Sequence, residues 1–230
     1  MKDKAIKYLS NSPLLHMGMI EPINRNIADI LYAESDGVLI REKKSGAYMI
    51  SVDDPQRGKD ILEIISAGAL FTAHQKDMAA YIADKFKLHE SLECVQAVYT
   101  DHIKLNINKD IQIKQLEPLH KDVVLEHYNK LSEHEIIELL NTGCIFGGYK
   151  NGVLIGFVGT HLEGSLGLLE IFPEYRRLGY GAILESYVVN QMLDQGFVPF
   201  GQIEVNNKNS IALQKKLGFK ISENSLYWIF

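Results

Sequence analysis

From Cys144 to Phe172 the chain runs in short apolar bursts broken by turns. Cys144–Tyr149 and Val153–Leu162 flank Lys150-Asn151-Gly152, a hairpin signal. A second turn at Gly164-Ser165 leads into the apolar run Leu166–Phe172. The period then changes. Ile183, Leu184, Tyr187, Val188, Met192 and Leu193 make a helical stripe over Ala182–Leu193, and Gln195-Gly196 reads as its stop. Phe197–Val205 predicts a strand, Ile211–Leu217 a short helix before Gly218-Phe219, and Leu226–Phe230 a terminal strand. Upstream, a strand signal near Asp110 and a helical region over Leu119–Leu140 complete this half.

The first half is patterned differently. Asp3–Leu9 predicts a helix, and Leu14–Asn26 a helical stretch interrupted by Pro22. Ile30–Tyr32, Gly37–Arg41 and Ala47–Val52 predict strands, with turns at Ser35-Asp36 and at the charged Lys43–Gly46. Asp60–Ala67 and His74–Phe86 carry helical spacing, and Leu92–Thr100 predicts a strand. The polar stretch Asp101–Lys109 reads as a linker.

One segment carries candidate chemistry. Pro173-Glu174-Tyr175-Arg176-Arg177-Leu178-Gly179-Tyr180-Gly181 joins a predicted strand to a predicted helix. The first turn of a helix has backbone N–H groups without partners, and with the helix dipole these bind phosphate oxygens. Gly179 and Gly181 remove side chains where a diphosphate must come close, and Arg176 and Arg177 add positive charge. No Gly-Lys-Ser/Thr ending follows, so this is no P-loop. Leu184 stands where a dinucleotide fingerprint needs its third glycine. A glycine-rich turn with no ligand is the alternative. Downstream, Asn206-Asn207-Lys208-Asn209-Ser210 precedes the short helix, and its asparagines are either ligand contacts or helix caps.

Arg-x-x-Gly-x-Gly after a strand, then Val-x-Asn-x-x-Ser, a short helix and Leu-Gly-Phe, resembles the GNAT superfamily of acyl-CoA-dependent N-acetyltransferases. The resemblance covers about the last half of the chain. It implies an α+β (α/β) fold with a mixed sheet at 106–230. It also implies a degenerate GNAT-like or accessory α+β domain at 1–105, as in the glycine N-acyltransferase-like branch, where a catalytic C-terminal half follows a non-catalytic one. In that first half, Ile50–Asp60 stands at the cofactor-loop position without the glycine pattern. The implied co-substrate is acetyl-CoA, with its diphosphate on Arg176, Arg177, Leu178, Gly179, Tyr180 and Gly181. Its pantetheine arm would run against the backbone of Leu169 and Ile171, with Asn207 near the cofactor and Asn209 a cap.

For catalysis the resemblance implies a carboxylate that takes the amine proton. Ser165 occupies the usual position of that base. Glu163, two residues back, is the expected base, through a water held by Ser165; an exposed hairpin-tip residue is the alternative. Glu170 has the opposite strand parity. The family's tyrosine acid is replaced by Gln214, and Tyr180 is either a substitute or a packing residue. The function implied is acetyl transfer to a primary amine of a small molecule or amino acid. The competing reading is a CoA-binding sensor with little turnover.

Composition narrows the field. A net charge of −5 without a Lys/Arg cluster speaks against nucleic acid as partner. No stretch is apolar enough to span a membrane, and Met1-Lys2-Asp3-Lys4 lacks a signal-peptide core, so the expectation is cytoplasmic. Cys94 and Cys144 read as free thiols, and none of the eight histidines has metal-site spacing, so no metal is expected. Oligomeric state is not readable.

Overall fold

The computed structural model describes residues 1–107 and 110–230, so Asn108 and Lys109 of the expected linker lie outside the described residues. Two compact units emerge. The first comprises Met1–Val98 with Phe200–Phe230, the second Tyr99–Pro199.

In the first unit, helices α1 (Lys2–Leu9) and α2 (Pro13–Asn24) precede the strands β1 (Ala28–Glu34), β2 (Gly37–Glu42) and β3 (Tyr48–Val52). Then come α3 (Pro55–Leu62), β4 (Phe71–Ala73), α4 (Lys76–Phe86) and β5 (Ser91–Val98). The chain returns to this unit as β10 (Phe200–Glu204), α8 (Lys208–Lys216) and β11 (Lys220–Ile229). The seven strands lie in the order β1-β2-β3-β4-β11-β5-β10. The sheet is mixed: β3–β4 is parallel and every other pair antiparallel. Leu39, Ile50, Phe71, Met78, Ile82 and Ile229 are fully or nearly fully buried in one core. α2 is apolar on almost every side and buried from Leu15 to Ile23. It continues through Pro22, correcting the expected interruption: the proline forfeits the one bond its N–H would make to the Gly18 carbonyl, and only Ile23 and Asn24 follow it in the helix. At Gly18 a Cβ would lie 2.9 Å from Gln202 and 3.2 Å from Gln96, so glycine lets α2 approach β5 and β10.

The strand order departs from the expected split at 105/106. β5, from the first half, pairs with β10 on one side and β11 on the other. β11, from the second half, lies between β4 and β5. Each half therefore supplies a strand that completes the hydrogen bonding of the other. Such pairing is non-local and leaves no trace in local periodicity. β4 was also not expected, since three buried residues are too few to show a period.

The second unit holds β6 (Gln112–Gln115), a 3-10 turn Pro118–His120, and helices α5 (Lys121–His127) and α6 (Glu133–Asn141). The antiparallel strands β7 (Ile145–Lys150), β8 (Val153–Thr160) and β9 (Leu166–Ile171) follow, then a 3-10 turn Pro173–Tyr175 and α7 (Tyr180–Asp194). The sheet order is β6-β7-β8-β9, so β9 is an edge strand. Successive strand residues face opposite sides, and Gly147 and Gly148 show both. A Cβ on Gly147 would meet Leu116 and Leu154, beside the core of Val124, Ile136, Leu139 and Phe157. A Cβ on Gly148 would meet Leu184 of α7, 3.0 Å away. Asn190 of α7 ties down the preceding segment by accepting from the Leu105 N–H (2.8 Å) and donating to its carbonyl (2.9 Å). Among the described residues no helix is long and apolar enough to cross a membrane.

Candidate cofactor and transfer site

β9 runs straight into the candidate cradle. Phe172 donates its N–H to Ile155 of β8, and Glu170 pairs with Phe157. Alternation then turns the backbone groups of Ile171 toward the unpaired edge. This is the edge expected to take a pantetheine arm. Between Gly167 and Glu170 the β8 pairing slips by a residue. Leu168 sits there with φ +51°, a β-bulge made by a buried non-glycine residue. Nothing in the apolar run Leu166–Phe172 signals that bulge.

The turn itself alternates left-handed residues: Arg177 at φ +64° and Gly179 at φ +86°, with Leu178 between them. Glycine adopts this region without penalty, whereas a side chain costs roughly 1 kcal/mol. Gly179 is the N-cap of α7 and supplies no side-chain cap. The first intrahelical donor is Ile183, bonding to the Gly179 carbonyl at 3.3 Å. The N–H groups of Tyr180, Gly181 and Ala182 precede it and are left for a ligand. A Cβ on Gly179 would meet nothing within 4 Å. The space a phosphate needs is therefore open, and the donor set suits an anion.

The two arginines differ. Arg177 is exposed and has no hydrogen-bond or ion-pair partner among the described residues. Arg176 folds back instead, donating Nε to the Ile171 carbonyl (2.7 Å) and Nη2 to Glu170 Oε1 (2.6 Å). Tyr180 is buried, and its hydroxyl accepts from Lys150 Nζ, whose ammonium lies 5.0 Å from the ring centroid. Its backbone belongs to the cradle and its side chain to the packing beneath. The hydrogen bond to Tyr180 pushes the Lys150 ammonium above its ordinary range.

At the other end of β9, the turn His161–Ser165 is closed by His161 N–H to the Ser165 carbonyl and Gly164 N–H to the His161 carbonyl, both 2.9 Å. Glu163 is 7% exposed and Ser165 fully buried, which removes the exposed-tip alternative. The Ser165 hydroxyl donates to Glu163 Oε1 at 2.5 Å. The six residues of β9 separate this pair from the cradle by about 20 Å at ~3.3 Å per residue, so the strand acts as a ruler between the two. The His161 ring lies against β9, where a Cβ on Gly167 would overlap it. His127 of α5 stacks on Phe172 with centroids 4.1 Å apart. Both imidazoles flank β9, which the spacing of histidines along the chain did not reveal.

Asn207 belongs to the first unit, whereas the cradle belongs to the second. It is the N-cap of α8, its Oδ1 accepting from Ser210 N–H at 3.1 Å. The expected cap is thus corrected: Asn207 is the cap, and Asn209 lies inside α8. The reason is local, because a side chain at the N-cap reaches the third helical N–H and one inside the first turn does not. Gln214 is buried in α8. Among the described residues no group of three or more His, Cys, Asp or Glu is placed to hold a metal ion.

The site thus combines a mixed α+β fold with an edge strand that leads into a helix N-terminus without a side-chain cap. Residues 111–219 match the acetyltransferase (GNAT) family. The chain is 26% identical over 118 residues to a Drosophila melanogaster protein named "Probable N-acetyltransferase san", spanning 47% of this chain and 63% of that relative. A Drosophila structural-genomics protein shares the fold with a TM-score of 0.66 at 15% identity, covering 84% of this chain and 73% of its own. A GCN5-related N-acetyltransferase-like protein from Streptococcus suis matches with a TM-score of 0.57 at 14% identity, covering 98% of this chain and all of its own. The fold is the mixed α+β GNAT fold, and these matches support the acetyltransferase (GNAT) family for this chain.

Proposed function

We propose that this protein is an acyl-CoA-dependent N-acetyltransferase. It transfers the acetyl group of acetyl-CoA to a primary amine of a small molecule or amino acid, directly in a ternary complex and in the cytoplasm. The observation that carries this reading is the open cradle. Gly179 caps α7 with no side chain and faces empty space, and three backbone N–H groups stand beside it. Leu178, Gly179, Tyr180 and Gly181 bind the diphosphate through their backbones, with Arg177 as the exposed cation. Leu169 presents its backbone groups, and Ile171 its N–H, to the arm along the free edge of β9.

The chemistry needs an uncharged amine held in line with the thioester carbon. The new N–C bond forms as the C–S bond breaks. The amine proton passes to the Glu163 carboxylate, directly or through water, and the thiolate leaves as CoA. Ser165 holds Glu163 in one rotamer by its hydroxyl. Residues 106–230 carry the reaction, and the first half is the accessory partner of a glycine N-acyltransferase-like tandem arrangement.

Acetyl-CoA binding by calorimetry tests the reading, with wild type beside Gly179→Trp. The indole fills the cradle, so binding by the wild type is expected to fall below detection in the variant, while the unfolding midpoint moves little. Equal affinity in both proteins sinks the assignment of the turn.

A further inference from the structure

Arg176 was expected to serve the diphosphate, yet its guanidinium is already engaged. Two of its five N–H donors go to Ile171 and Glu170, both on the strand that leads into the cradle. Glu170 is a carboxylate with no expected role; the bulge at Leu168 overturns its expected parity and returns it to the face of Gly167, where its side chain meets Arg176. Its side chain is 24% exposed and that of Arg176 55%. A pair so open to solvent is weak, and it exchanges readily for a stronger anion. A diphosphate at the N-terminus of α7 is such an anion, and Arg176 stands three residues before the helix N-cap.

We propose that Glu170 is a specificity-determining residue of the cofactor site, an internal anion that holds Arg176 until a polyanionic ligand takes the guanidinium over. The proposal rests on the cofactor reading above and deepens it. The Nε bond to the Ile171 carbonyl keeps the guanidinium at the turn in both states. What changes hands is the Nη edge, from carboxylate to phosphate. Glu170 thereby lowers the affinity for every anion. It does so least for one that also satisfies the backbone N–H groups of the cradle, which disfavours small singly charged ions.

The test is a double-mutant cycle on acetyl-CoA affinity in the full chain. Glu170→Gln keeps the shape and removes the competitor, so binding is expected to tighten about five-fold, in line with the ~1 kcal/mol upper worth of exposed pairs. In an Arg176→Ala background the same substitution is expected to give no gain. If Glu170 merely braces the turn, Glu170→Gln weakens binding instead. A weakened or unchanged affinity, or a gain that persists without Arg176, overturns the proposal. Should Glu170→Gln fail to fold, Glu170→Asp substitutes for it: the shortened side chain releases Arg176, and a smaller gain is expected, with no gain again overturning it. Absence of acetyl-CoA binding in wild type and variant alike overturns the cofactor reading together with this one. Binding by the wild type without a gain overturns only the role of Glu170.

Discussion

The turn from β3 into α3 and the turn from β9 into α7 both carry a strand end into a helix beside an arginine, but they treat their backbone donors in opposite ways. At the first, Asp54 caps the helix, its Oδ1 accepting from Gln56 N–H at 3.0 Å. Pro55 at the first helical position has no N–H to offer. Arg57 is taken by Asp36 (2.9 Å) and the Tyr32 hydroxyl (3.0 Å). A Cβ on Gly58 would lie 2.6 Å from Met78 Sδ, so helix packing fills the space behind the turn. At the second, Gly179 offers no cap, the first-turn N–H groups are free of intrahelical partners, and a Cβ would enter open space. The lesson is that one topology leaves its first-turn donors vacant or filled according to the residues at the cap.

The strands next to the turns differ in the same sense. β3 and β4 pair only over Tyr48–Ile50 and Phe71–Ala73, and beyond that polar side chains fill the gap. Val52 N–H donates to Gln75 Oε1 at 3.3 Å, and the Ser51 hydroxyl meets His16 Nε2 at 2.9 Å. β9 keeps an edge with no strand beside it in its sheet. The hairpin turns also match in kind and differ in saturation. Glu42 Oε2 collects Lys44 N–H (2.9 Å), Ser45 N–H (2.5 Å) and the Ser45 hydroxyl (2.8 Å). Glu163 has the Ser165 hydroxyl as its hydrogen-bond partner among the described residues. Three bonds from its own turn make Glu42 Oε2 a structural brace, although Glu42 Oε1 is buried without a hydrogen-bond partner among the described residues; Glu163, held by one hydroxyl, is less braced by its turn.

Cutting the two halves apart should produce the largest effect. A fragment of residues 106–230 retains β10 and β11 but loses β5, the strand that pairs with both. It is expected to lack a cooperative unfolding transition by circular dichroism. Cooperative folding of the fragment would mean that β10 and β11 find each other without β5, and the strand order would lose its energetic meaning.

Next in size is the contrast between the buried glutamates. Glu163→Gln is expected to lower kcat roughly 100-fold, the usual scale for removal of a general base, with acetyl-CoA affinity retained. Glu42→Gln is expected to leave kcat alone and cost stability. Thiol release across a panel of amines reads the first, and urea unfolding the second. Equal kcat for Glu163→Gln and wild type removes Glu163 as base.

How far the residues themselves announced this arrangement depends on range. Local signals carried β7, β8, β9 and α7 to within a few residues, because alternation, Lys150-Asn151-Gly152 and Gly179 act within one element. The uncapped start of α7 was legible for the same reason, since glycine and helix start are neighbours in sequence. The cap was misplaced at Asn209 because capping and ligand binding ask for the same side chain, and Asn207 was given to the ligand. The insertion of β5 between β10 and β11, the bulge at Leu168 and the tie between Arg176 and Glu170 depend on register and rotamer. Periodicity does not encode these.

A smaller effect comes from acid. His16 and His74 are buried beside β3, with ring centroids 5.0 Å apart. His16 bonds the Leu9 carbonyl (2.9 Å) as well as Ser51, and His74 bonds the Ile50 carbonyl (3.0 Å). Burial holds both below the ordinary histidine value of 6.5, His74 at about 3; His16 adds a smaller opposition to charging of His74, whereas the Leu9 carbonyl and Asp53 work against the lowering at His16. Both groups are therefore neutral in the folded protein and charge more easily when unfolded. Their contribution to stability is complete above pH 6.5 and is lost as pH falls from there toward 3. The urea midpoint is expected to drop between pH 7 and pH 5, and His74→Gln to flatten that drop. An equal slope in wild type and variant would assign the acid sensitivity elsewhere.

The mildest perturbation asks whether the closed turn can be opened. Asp54→Ala removes the cap of α3 and is expected to cost about 1 kcal/mol, the usual worth of an N-cap side chain, seen as a small fall in the urea midpoint. It frees one N–H, that of Gln56, but Pro55 still offers none, and Gln75 still occupies the end of β3. No second acetyl-CoA site is therefore expected, and calorimetry should return the same stoichiometry as wild type. A doubled stoichiometry would show that one aspartate separates the two turns. An unchanged one would mean that the plug of Gln75 and His16 closes the first turn independently of its cap.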